Sequence, residues 1–242
     1  MIRLPFLDTQ RIDDFPAIET ALREPDGLLA AGGDLSAARL LAAYRRGIFP
    51  WYSDGQPILW WSPAQRTVFA TARPHVPRRL ARWLRGCDWR IRADTAFAHV
   101  MRACAAPREH QRSTWIGRDM LAAYEHLHAL GHAHSVEAWA DERLVGGIYG
   151  VSLGRMFFGE SMFSATANGS KVALLALCHV LSGWGYPLLD AQVASQHLFT
   201  LGAFQMPRAP FLAAVAELAD APGIDGNWRE CFPLLRPDDL IK

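Results

Sequence analysis

Apolar positions give the first outline of the chain. Ser36 stands just before Leu40, Leu41 and Tyr44, a stripe at helical spacing that Gly47 closes. An aromatic-rich stretch follows, Gly47-Ile48-Phe49-Pro50-Trp51-Tyr52 and then Trp60-Trp61-Ser62-Pro63. Pro and Gly punctuate this whole region, which predicts a small N-terminal lobe over 1–63 and a larger domain over 64–242. In the larger part the pattern predicts a helix over Val76–Leu84 and a short strand over Trp89–Arg92. Asp94 is placed to cap a helix carrying Phe97, Val100, Met101 and Cys104. Arg118–Leu130 forms a second helix, stopped by Gly131. Ser135–Trp139 alternates as a half-buried strand, and Asp141-Glu142 turns the chain into Leu144–Val151. Leu153-Gly154 turns it again into Met156–Phe158. Ser170 opens a long apolar helix to about Leu181, followed by a buried strand at Leu188–Asp190 and a helix around Gln196–Leu201.

The expected class is therefore α/β (α+β). The order of helix, helix, three antiparallel strands, helix, strand, helix resembles the GNAT acyltransferase fold, a mixed sheet flanked by helices. That resemblance implies two parallel strands that splay apart around the long helix, with the reactive carbonyl in the gap. Glu160 then follows one splayed strand and Asp190 ends the other, so both are expected to face one cleft.

Composition narrows the setting. The chain has 242 residues, half of them hydrophobic and 20% charged, with a net charge of +1. This suits a globular chain with a sizeable core. The N-terminus lacks an apolar signal region, and no run of about 18 apolar residues occurs. A cytoplasmic protein without membrane attachment is expected. Cys87, Cys104, Cys178 and Cys231 fit neither a CxxC motif nor a zinc site, so reduced thiols are expected. Residues 66–118 hold twelve Arg and three acids, a local charge of +9, while the flanking parts are acidic. Such a segment suggests contact with a polyanion.

Several chemistries are absent from the sequence. No GxSxG elbow, Walker loop or dinucleotide fingerprint occurs. His132 and His134 form an HxH pair with no third ligand at a diagnostic spacing, so no metal is expected. A coenzyme A enzyme of the GNAT type would carry a glycine loop for the pyrophosphate after its central strand. Here that place reads Gly159-Glu160-Ser161-Met162-Phe163-Ser164, and no cofactor is expected.

Specific motifs then converge. They are Gly27-Leu28-Leu29-Ala30-Ala31-Gly32-Gly33-Asp34-Leu35-Ser36, Arg46-Gly47-Ile48-Phe49-Pro50-Trp51 and Trp60-Trp61-Ser62-Pro63, then Thr114-Trp115-Ile116 and Gly131-His132-Ala133-His134-Ser135-Val136-Glu137. Phe158-Gly159-Glu160-Ser161-Met162-Phe163-Ser164, Ser170-Lys171, Asp190-Ala191-Gln192 and Leu201-Gly202-Ala203 complete the set. In this order they resemble the bacterial leucyl/phenylalanyl-tRNA–protein transferases over nearly the whole chain. Gly169 departs from the Ala usual there, and Leu177 stands where an aromatic can form a pocket wall.

The resemblance implies transfer of Leu, Phe or Met from aminoacyl-tRNA to proteins that begin with Arg or Lys, marking them for N-degron proteolysis. The ester is already activated, and an α-amine of pKa near ~7.7 is partly neutral at cell pH. Alignment, proton acceptance and oxyanion stabilisation then suffice, without a covalent intermediate. Asp190 is expected to hold the attacking amine, and Gln192, two residues on along an extended segment, to relay or donate a hydrogen bond. Glu160 is expected to bind either the aminoacyl ammonium or the acceptor's cationic end. Ile148, Phe157, Met162, Phe163, Leu177 and Leu189 are the candidates for an apolar side-chain pocket. Trp51 and Trp115, assisted by Tyr124, are expected to stack the terminal adenosine. Arg78, Arg79, Arg82 and Arg85 are expected to meet acceptor-stem phosphates. A monomer is expected. The competing readings are a GNAT N-acetyltransferase using acetyl-coenzyme A, an adaptor that binds basic N-termini without modifying them, and a cell-wall peptidyltransferase using aminoacyl-tRNA.

Overall fold

The structure, a computed structural model, describes residues 4–107 and 114–241. Its smaller sheet comprises β1 (Phe6–Leu7), β2 (Leu28–Gly32), β3 (Phe49–Pro50) and β4 (Leu59–Trp61), in the order β1-β2-β4-β3. Helix α1 (Ala37–Arg45) joins β2 to β3. Its start is as the sequence predicts, with the Ser36 hydroxyl accepting from the Arg39 N–H at 3.4 Å. The larger sheet holds β5 (Gln65–Ala70), β6 (Arg90–Ala93), β7 (Ala133–Ala140), β8 (Arg143–Leu153), β9 (Met156–Ser164), β10 (Leu188–Asp190) and β11 (Phe204–Pro207). Its order is β11-β5-β10-β9-β8-β7-β6. The helices are α2 (Arg78–Leu84), α3 (Phe97–Ala105), α4 (Arg118–Ala129), α5 (Gly169–Gly183), α6 (Gln196–Phe199) and α7 (Arg208–Asp220).

Apolar faces explain the layering. The stripes of α1, α3, α4 and α7 bury Tyr44, Val100, Tyr124 and Phe211 against one face of the large sheet. On the other face, α5 is apolar nearly all round, and it is buried with α2 and the C-terminal Trp228. Helix α5 lies very close to β8. A Cβ on Gly146 would stand 2.2 Å from the Gly169 carbonyl carbon, and one on Gly169 would stand 2.2 Å from the Val145 oxygen. Two facing glycines thus permit the approach.

Every neighbouring pair in the large sheet is antiparallel except β9 and β10, which run parallel from Leu188↔Met156 to Asp190↔Phe158. Strand β9 continues to Ser164 while β10 stops at Asp190, so the pair parts there. This is the open gap that the GNAT-like order predicts.

Three expectations need correction. The third meander strand runs well past Phe158, so Glu160 lies within β9 rather than after it. Asp94 does not cap α3; it sits at φ 54° and accepts from the Ser135 and Trp228 N–H groups, while Glu137 accepts from those of Thr95 and Ala96. Strands β5 and β11 and helix α7 extend the predicted order. Gln65, Arg66 and Thr67 make the first half of β5 polar, and β11 is largely exposed, so neither stands out as a buried strand.

Candidate active site

The gap beyond Asp190 opens into a cavity of about 550 Å³. Phe69, Ile148, Met162, Leu174 and Leu189 supply apolar wall, and Glu160 and Gln192 supply polar groups. A few convergent polar groups in an apolar cleft are the usual makings of a small-ligand site.

Glu160 owes its position to a β-bulge. Tyr149 pairs with Ser161 and Gly150 with Gly159, so Glu160 is the extra residue of β9. The bulge shifts the alternation of side chains beyond it. Phe158 and Phe163 therefore share one face of the sheet, and Phe157 and Met162 share the other. Glu160 turns toward the helices over the first face. Its Oε1 accepts from the Tyr44 hydroxyl at 2.8 Å and the Gln192 amide at 2.6 Å, and its Oε2 from the Tyr124 hydroxyl at 3.1 Å. The two tyrosine hydroxyls also touch each other. Burial pushes the Glu160 pKa up to about 7; hydrogen bonds from Tyr44, Tyr124 and Gln192 oppose the shift, and Asp190 adds to it.

Asp190 has a different environment from the one expected. It is wholly buried, and Arg66 grips it through Nε at 2.8 Å and Nη2 at 2.7 Å. Its Oδ1 also accepts from the Gln192 N–H at 2.9 Å. These partners engage both oxygens, and Asp190 is not among the residues that line the cavity. Gln192 is not on an extended segment either. Its φ of 58° turns its side chain to Glu160 rather than alongside Asp190. Arg66 is flanked by the Phe49 and Phe211 rings at 4.7 Å each, and its Nη1 donates to the Gly47 carbonyl at 2.9 Å. In the sequence Arg66 is only the first arginine of the basic stretch 66–118, so its role as a buried partner was missed.

Of the apolar candidates, Ile148, Met162 and Leu189 line the cavity. Phe157 and Leu177 are core residues instead, Phe157 lying 5.6 Å from the Trp228 ring. Phe163 faces a neighbouring cavity of about 580 Å³. Phe69 and Leu174 were not anticipated. Leu174 precedes Leu177 by three residues on a helix whose apolar surface does not mark a single face.

A smaller cavity of about 170 Å³ adjoins the first through Glu160, Gln192 and Val193. Trp51 and Trp115 form its outer wall, with Phe49 and Pro50. Trp51 is 41% exposed, as a stacking surface requires. Tyr124 cannot join it: it is fully buried and its hydroxyl belongs to Glu160. Arg78, Arg79, Arg82 and Arg85 are all exposed along α2. Residues 108–113 of the basic stretch lie outside the described residues. His134 pairs with Asp94 at 2.8 Å and stacks on Trp228 at 3.9 Å, a structural arrangement in which burial lowers its pKa. Among the described residues, no three His, Cys, Asp or Glu side chains are grouped so as to hold a metal ion.

Comparison with known proteins decides the family. The leucyl/phenylalanyl-tRNA protein transferase profile matches residues 68–216, and the profile of that family's N-terminal domain matches residues 33–64. The chain belongs to the leucyl/phenylalanyl-tRNA protein transferase family. Relatives of that name share 58% identity over 98% of this chain and 95% of theirs in Xanthomonas oryzae pv. oryzae (strain MAFF 311018). The figures are 58% over 90% and 88% in Xanthomonas campestris pv. campestris (strain B100). They are 53% over 89% and 93% in Pseudomonas syringae pv. syringae (strain B728a). A solved structure of a functionally unknown conserved protein from Staphylococcus epidermidis ATCC 12228 aligns with a TM-score of 0.38 at 11% identity, covering 74% of this chain and 68% of that one, too distant to inform the fold. This member of the transferase family is an aminoacyltransferase that moves amino acids from tRNA to proteins. None of its described helices is long and apolar enough to cross a membrane.

Proposed function

We propose that this chain transfers Leu, Phe or Met from aminoacyl-tRNA to the α-amine of proteins beginning with Arg or Lys, as a cytoplasmic monomer that marks them for N-degron proteolysis. The observation that carries this reading is the place of Glu160. It stands where an apolar cavity and a tryptophan-lined cavity meet. The transferred side chain occupies the first, where burial is worth roughly 0.8 kcal/mol per CH₂ and favours Leu, Met and Phe over Ala. The terminal adenosine stacks in the second, held by Trp51 and Trp115. The ester joining them then lies beside Glu160 and Gln192.

Reaction is direct aminolysis. The acceptor amine attacks the ester carbonyl, a C–N bond forms, and the bond from the carbonyl carbon to the ribose oxygen breaks. The proton lost from nitrogen ends on the departing ribose hydroxyl. Glu160, with a pKa near cell pH, takes that proton and returns it. Gln192 orients Glu160 through the 2.6 Å bond. Asp190 acts through Gln192 and the Arg66 pair as a positioning residue. Residues 1–63 serve as a lobe that supplies Tyr44 and Trp51 to the site, and 64–242 as the transferase domain.

A substrate series tests this reading. tRNAs charged with Phe, Leu, Met, Val or Ala are paired with peptides beginning with Arg, Lys or Ala. Transfer of Phe, Leu and Met to the Arg and Lys peptides is expected. Equal transfer to the Ala peptide would overturn the acceptor assignment, and equal transfer of Ala would overturn the pocket assignment.

A further inference from the structure

The Trp51–Trp115 wall has two sides. Beyond it lies a third cavity, of about 380 Å³, which shares both tryptophans with the 170 Å³ cavity. Tyr52, Gln56, Leu59 and Trp61 also line it, and among the described residues no Lys or Arg does. Trp61 is held in place there: its Nε1 donates to the Trp51 carbonyl at 2.6 Å, and the two rings lie 5.6 Å apart at 56°. Gln56 accepts from the Ser53 N–H at 2.9 Å through Oε1, so its amide N–H groups are the donors left to a ligand. Burial, then the charges of Asp119 and Asp54, push the Tyr52 hydroxyl pKa up. The three cavities thus form one track, joined first at Glu160 and Gln192 and then at Trp51 and Trp115.

We propose that the third cavity binds the penultimate nucleotide of the tRNA acceptor end, a cytidine, by stacking its base among Trp51, Tyr52 and Trp61. This rests on the reading in which the middle cavity holds the terminal adenosine. The track gives the direction. With the amino acid in the first cavity and adenosine in the second, the strand continues past the tryptophan wall. Aromatic walls suit a base, which stacks on them. The Gln56 amide can donate to the O2 or N3 acceptor of cytosine.

Two small aminoacyl donors test the proposal: the phenylalanyl ester of adenosine and that of cytidylyl-adenosine. Both are presented to the full-length protein with an N-terminal Arg peptide. The dinucleotide donor is expected to show kcat/KM about 10-fold or more above that of the mononucleotide. In Tyr52→Leu and Gln56→Ala the ratio between the two donors should fall toward one. Equal kcat/KM for both donors in the unaltered protein would overturn the subsite while leaving the proposed function standing. A ratio that survives both substitutions would place the cytidine elsewhere and also overturn it. A raised KM for the peptide with an unchanged donor ratio would assign the cavity to the acceptor instead. No transfer from either donor would sink the underlying reading, and the subsite with it.

Discussion

At the scale of single residues, a bulge does what alternation could not. An unbroken strand would set Phe158, Glu160 and Met162 on one face; the extra residue sends Met162 to the other. That is why Met162 lines the apolar cavity and Phe163 does not. The resemblance pointed to Glu160, but its tyrosine partners come from α1 and α4, far away in sequence. In its proposed role as base, Glu160 must be ionised. Its folded pKa of about 7 lies above the usual carboxylate value, so kcat/KM should fall as pH drops through about 7. In Glu160→Gln the rate should fall by about 10² to 10⁴-fold, and that limb of the pH profile should vanish, leaving only the titration of the acceptor amine. A variant that keeps the limb would remove Glu160 from proton transfer.

At the scale of elements, the buried Arg66–Asp190 pair joins β5 to β10 and both to the N-terminal lobe. Arg66 reaches the Gly47 carbonyl and the Phe49 ring, so the end of β10 is set partly by residues outside the large sheet. Asp190→Ala would strand the Arg66 guanidinium in the core. A loss of about 3–5 kcal/mol is expected from denaturant unfolding, together with the loss of turnover. Full stability with lost turnover would return Asp190 to a direct chemical role. Helix α5 and strand β10 were legible as apolar runs of helical and strand length, and the β7–β8 hairpin by the polar Asp141-Glu142 turn between two apolar segments. The rest was harder for particular reasons. Glu160's segment changes phase at the bulge, β11 exposes most of its side chains, and Asp94 has a left-handed backbone that its sequence position does not announce.

At the scale of the molecule, the basic segment divides. Arg66 belongs to the core, whereas the α2 arginines Arg78, Arg79, Arg82 and Arg85 face outward. Charge reversal at Arg78, Arg79 and Arg82 should weaken tRNA binding and flatten its salt dependence, by about one unit of slope for each phosphate that is no longer neutralised. An unchanged slope would remove α2 from the tRNA surface. The α-helical layer over the other face holds Tyr44 and Tyr124 to Glu160, so lobe, sheet and helices meet at one carboxylate. The central claim is that this carboxylate serves transfer from tRNA to a protein N-terminus. Purified protein mixed with labelled Phe-tRNA and a peptide beginning with Arg should yield a peptide one Phe longer at its N-terminus, seen by mass spectrometry. A peptide left unextended, under conditions where the protein is folded and binds the charged tRNA, would contradict it.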